Sequence, residues 1–92
     1  MPERTVAVAS AVGLHARPAS LFTQAVGSAG IPVTIAKDGG NPVDAASMLR
    51  VMALGVKHGE QVTLAAEGDD AERVLDELVE LLATDLDAEP ES

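Results

Sequence analysis

Val6 and Val8 alternate with polar or small residues over positions 4–9, RTVAVA, and this two-residue period predicts a strand. A loop containing Gly13 follows. From Ala16 to Ala29 the period becomes helical: Ala19, Phe22 and Val26 fall at i, i+3 and i+7, Leu21 and Ala25 widen the stripe, and Gly30 closes it. Alternation returns with Val33 and Ile35. Asp38-Gly39-Gly40-Asn41 is a turn signal that makes a hairpin with a short strand at Pro42–Asp44, where the proline restricts that strand to an edge or places it at the strand's first position. Residues 46–54, ASMLRVMAL, predict a short helix closed by Gly55, and its length means that packing must hold it. After a His58-Gly59 turn, Val62, Leu64 and Ala66 mark another strand. Asp69 with Glu72 has the spacing of a capping box before a last helix whose stripe is Ala71, Val74, Leu75, Leu78, Leu81 and Leu82 and which fades near Asp85.

The order is β-α-β-β-α-β-α, an α+β chain in which helices cover one face of a mostly antiparallel sheet and leave the other wet. A split-βαβ, ferredoxin-like sandwich has this element order, which does not by itself set the strand order.

Composition narrows the picture. The 92 residues suffice for one small domain, expected over 1–88 with a disordered tail at 89–92. Hydrophobic residues are 47% of the chain but Phe22 is its only aromatic, so the core is aliphatic and no flat surface exists for stacking bases or sugars. Fifteen acidic against six basic residues give a net charge of −9, which repels nucleic acid and anionic membranes alike. Much of the acid lies in residues 67–91, read as a solvated helix face and tail. The absence of cysteine excludes disulfides and thiol chemistry. No apolar run is long enough for a signal peptide or a membrane span, so a soluble, cytoplasmic monomer without cofactor or metal is expected.

The candidate chemistry lies in GLHARPAS, residues 13–20. Pro18 belongs in the first turn of a helix, which places His15 at or near the N-cap. The backbone N–H groups of Ala16 and Arg17 then point outward at the positive end of the helix dipole, where an anion is welcome and a nearby imidazole stays neutral and nucleophilic. Arg17 adds a planar cation suited to phosphate oxygens, and Gly13 allows close backbone approach. These parts suit a histidine that accepts a phosphoryl group, a transfer that depends on positioning and electrostatics. A capping or solvated histidine explains the same residue. A metal site has only His58 as a second imidazole, and no Ser-His-acid spacing argues for a hydrolase.

GLHARPAS resembles the active-site signature of the HPr family, the histidine phosphocarriers of the bacterial phosphoenolpyruvate-dependent sugar phosphotransferase system. Residues 46–68, ASMLRVMALGVKHGEQVTLAAEG, resemble that family's second signature, with Ser47 at the position of its regulatory serine. The resemblance implies an open-faced β-sandwich with sheet order 1-4-2-3 and three helices on one face. It implies that His15 is phosphorylated on Nδ1 by phospho-Enzyme I, that Arg17 and the Ala16 N–H support the phosphoryl group, and that the group passes to IIA domains of sugar permeases. Such a protein is a stoichiometric carrier rather than an enzyme. Carriers of a nitrogen-regulatory or dihydroxyacetone branch, and regulatory binding modules, share the fold. Two positions depart from the family pattern. Val12 stands where Ser or Asn is common, and Met48, Leu49 and Arg50 follow Ser47 where regulated members often carry Gly.

The helix after Ser47 is apolar on every side. With Val51 and Leu54 facing the sheet, Met48, Leu49 and Met52 are left exposed beside Arg50, a pattern that suits docking of Enzyme I and IIA domains; packing of Met48 or Leu49 under a neighbouring loop is the other reading. Ser47 is a natural N-cap for this helix and, by the resemblance, a possible phosphorylation site.

Overall fold

The computed structural model describes residues 2–9, 16–37 and 39–84. Strand β1 (Glu3–Ala7) is followed by α1 (Ala16–Ala29), β2 (Val33–Lys37), β3 (Val43–Asp44), α2 (Met48–Ala53), β4 (Gln61–Ala66) and α3 (Ala71–Ala83). The four strands form one sheet of order β1-β4-β2-β3 with every neighbouring pair antiparallel. Its inner face is set by the pleat. Val6 lies opposite Val62, and Leu64 opposite Ile35, so the apolar members of three strands stand on the side that the helices cover. On the other face Thr5 and Thr63 lie side by side, their hydroxyls 3.3 Å apart.

The ferredoxin-like order suggested by element order alone does not form. β1 and β2, both antiparallel to β4, run parallel to each other, so β1-α1-β2 is a split βαβ unit with β4 in its gap. β3 could not take that place. It has two residues, preceded by Pro42, and no apolar pair to bury. β4 buries Val62, Leu64 and Ala66 completely and pairs along its length on both edges. The tight turn through Gly39 and Gly40, with the Gly40 N–H donating to the Lys37 carbonyl at 2.7 Å, leaves β3 on the outer edge.

α1 packs its stripe of Ala19, Phe22 and Val26 into the core, and α3 packs Ala71, Val74, Leu75, Leu78 and Leu82 beside it. Leu21 departs from the expected stripe: it is 38% exposed, on the same helix row as Arg17. α1 ends at Gly30, whose φ of 73° favours a residue without Cβ. The start of α3 also differs from expectation. The N-cap is Asp70, not Asp69, and it makes no side-chain capping bond. Its carboxylate turns instead to the Arg73 guanidinium at 3.5 Å, and Glu72 becomes the second helical residue, too early for a capping box. β1 leaves its ladder after Ala7. Val8 then exchanges backbone bonds with Glu60 and Gly59, and the Ala9 N–H donates to the Leu82 carbonyl at 3.0 Å, tying this end of the strand to the last turn of α3. The expected helix end at Asp85 and the tail at 89–92 lie outside the described residues.

Phe22 is the largest fully buried side chain in an otherwise aliphatic core. Phe22→Ala is expected to cost about 3–5 kcal/mol, read as a fall in the urea midpoint with little change in slope.

Candidate functional site

α1 begins where the sequence pattern places it, with Ala16 as its first residue and Arg17 as its second. Arg17 is exposed, and the first turn of α1 carries no acidic residue to oppose an anion at the positive end of the helix dipole. His15, Gly13 and Val12 lie outside the described residues. Pro18 falls in the first turn, as its missing N–H requires.

α2 packs against α1 and against β3. Six residues cannot hold a helix by propensity, and the structure shows what holds this one. At its start the Ser47 Oγ accepts from the Arg50 N–H at 3.3 Å, and Asp44 shapes the approach by accepting from the Ala46 N–H at 2.9 Å. In the middle Val51 is fully buried. At the end the Gly55 N–H reaches the Met52 carbonyl with Gly55 at φ 67°, and Val56 is buried just beyond. Lys37, from β2, then spans two partners: its Nζ donates to the Gly55 carbonyl at 3.4 Å and pairs with the Glu60 carboxylate at 3.3 Å.

Glu60 is the centre of this latch. Its Oε1 also accepts from the Lys57 backbone N–H at 2.8 Å. That backbone bond, with the Lys37 ammonium and the Lys57 charge, holds the carboxyl below its ordinary value of 4.5, against an opposing effect of desolvation. The sequence reading missed it. Lys37 and Glu60 meet only because β2 pairs with β4, which cannot be read from local pattern.

The outer face of α2 is apolar. Leu49 is 81% exposed, and Met48 and Met52 are open at 36% and 40%. With Leu21 of α1 these are the exposed large hydrophobics among the described residues. Leu21 was legible in principle, since a charged residue four positions earlier, Arg17, marks a solvent-facing row. Arg50 is exposed at the edge of the patch, and His58 is exposed in the turn before β4. Among the described residues no group of three or more His, Asp or Glu could hold a metal ion. No helix there is long and apolar enough to cross a membrane.

Residues 2–84 match the family described as the PTS HPr component phosphorylation site. The chain belongs to the HPr family. It is 51% identical to phosphocarrier protein HPr of Streptomyces coelicolor over all of this chain and 99% of that one. It is also 51% identical to that of Haloferax volcanii, over 89% of this chain and 93% of its relative. The crystal structure of an HPr from Thermoanaerobacter tengcongensis superposes with a TM-score of 0.87 at 39% identity, over 97% of this chain and 99% of that one. The sheet order and the three helices on one face are those of the family's solved structures. The chain is accordingly a phosphocarrier of the phosphotransferase system.

Two predictions concern the support of α2. Ser47→Ala removes the cap and is expected to cost about 1 kcal/mol in a urea titration. Glu60 has a folded-state pKa below its unfolded value, so its contribution to stability is present above the unfolded value and is lost as pH falls through the folded one. The melting temperature of Glu60→Gln should therefore lie below that of the parent at neutral pH, and the gap should close as pH falls below 4.5.

Proposed function

We propose that the chain carries a phosphoryl group on Nδ1 of His15, received from phospho-Enzyme I and passed to IIA domains of sugar permeases. The observation that supports this most directly is the start of α1. Arg17 stands exposed two residues after His15 in sequence, on a first helical turn without acid. The imidazole lone pair attacks phosphorus, the bond to the donor's histidine breaks in line, and the donor leaves as its neutral imidazole. The Arg17 guanidinium and the N–H groups of Ala16 and Arg17 oppose the charge of the arriving phosphoryl oxygens. The same arrangement serves the reverse step, since transfer onward to an acceptor is the same displacement with the roles exchanged.

A carrier of this kind is consumed and restored stoichiometrically and is not an enzyme in its own right. It acts as a monomer in the cytoplasm, where both partners reach it. Met48, Leu49 and Met52 form the apolar centre of the docking surface, and Arg50 meets acid on the partner at its rim. Ser47 serves this reading as the cap that holds the docking helix in shape; the regulatory phosphorylation implied by the family resemblance would place its phosphate at the same helix start.

The test is incubation with phosphoenolpyruvate, magnesium and Enzyme I. One acid-labile, alkali-stable phosphate per chain is expected, absent in His15→Ala. Arg17→Ala should accept the group at least about tenfold more slowly, the loss of a charge-assisted contact. Equal labelling of His15→Ala would overturn the assignment.

A further inference from the structure

We propose that Met48 and Met52 form a reversible oxidation site that weakens partner docking when both are converted to sulfoxides; the consequence for docking rests on the surface assigned above. The two residues stand at i and i+4 of α2, on one row of the helix, and both are open to solvent at 36% and 40%. The chain has no cysteine and its remaining methionine is Met1, so these two are the sulfur atoms that the docking surface offers to an oxidant. Methionine suits an exposed apolar surface that meets more than one partner. It is also the apolar side chain that mild oxidants convert into a strongly polar one and that dedicated reductases restore.

The co-reactant is hydrogen peroxide. The thioether sulfur gives an electron pair to one peroxide oxygen, an S–O bond forms as the O–O bond breaks, and the second oxygen leaves as water after taking up the proton. The sulfur is oxidised by two electrons and the peroxide reduced by two. No atom of the core takes part. Val51, which holds α2 to the core, is fully buried and carries no sulfur, and the Ser47 cap and the Lys37–Glu60 latch lie at the helix ends. Oxidation therefore changes the polarity of the surface without removing what keeps the helix in place. A sulfoxide at each position puts a strong hydrogen-bond acceptor into the centre of a patch that must shed water to bind.

The sequence makes the site easy to map. Trypsin cuts after Lys37, Arg50 and Lys57, so Met48 and Met52 fall in separate peptides, and Met1 falls in a third that ends at Arg4. The folded protein is treated with limiting hydrogen peroxide, digested and weighed beside a sample treated in urea. Both α2 peptides should gain one oxygen in the folded sample at rates approaching those in urea. Peptides that stay reduced in the folded protein and oxidise only in urea would overturn the proposal.

Intact oxidised protein is then assayed as acceptor from phospho-Enzyme I. KM for the carrier should rise about fivefold with kcat little changed, and methionine sulfoxide reductases should restore it. The double variant Met48→Leu/Met52→Leu, compared with its own untreated KM, should show no response to peroxide. A KM unmoved by oxidation, or a rise accompanied by loss of the folded circular dichroism spectrum, would overturn the proposal. Failure of the untreated protein to accept phosphate would instead overturn the carrier reading, since that measurement precedes any oxidation.

Discussion

Strand β4 must satisfy backbone partners on both edges and bury one face against helices, and the rest of the fold follows from that double demand. Its Val62, Leu64 and Ala66 are fully buried, while β1 and β2 complete its hydrogen bonds from either side. Because β4 comes late in the chain, the β1-α1-β2 unit has to hold a gap for it, and the pairing is non-local throughout. The gap also decides what sits next to what. Placing β4 beside β2 brings Glu60, the residue before β4, to Lys37 at the end of β2, and the pair secures the end of α2. The short apolar helix α2 is thus supported by a pairing made in the sheet.

The elements were legible in the sequence because each has one strong period and a clear stop. α1 begins and ends as the Pro18 and Gly30 positions indicate, and Ser47 caps α2 as its hydroxyl and spacing suggest. The strand order was legible only through resemblance to the HPr family, because element order is compatible with more than one placement of the last strand. Local electrostatics defeated the reading at α3: Asp69 and Glu72 have capping-box spacing, yet Asp70 takes the cap position and turns to Arg73. Leu21 was assigned to the core by periodicity because it lies one step from Phe22, at the margin where a small rotation of the helix decides burial. The chemistry proposed for the site rests on residue types, His15, Ala16 and Arg17 before a first-turn proline. Of these the structure describes the helix start and leaves His15 outside its described residues.

Charge is distributed unevenly over this acidic chain. Arg4 pairs with Asp76 of α3 at 3.2 Å, and Arg73 pairs with Asp70 and Glu77 within α3. The other four basic residues, Arg17, Lys37, Arg50 and Lys57, lie at the start of α1, at the end of β2, in α2 and in the loop after it. Arg4, Lys37 and Arg73 are thus each paired with a carboxylate, in a protein with net charge −9.

α2 is held at both ends and through Val51 before any partner arrives. A surface already ordered loses little conformational freedom on contact, so recognition does not wait for a segment to fold. A helix of six residues also offers few anchors, so the contact proposed for it is shallow. Brief residence in that proposed contact then follows from the geometry of the helix. For a molecule whose task is to be handed from one protein to the next, a short and rigid landing place sets the pace of departure as well as arrival.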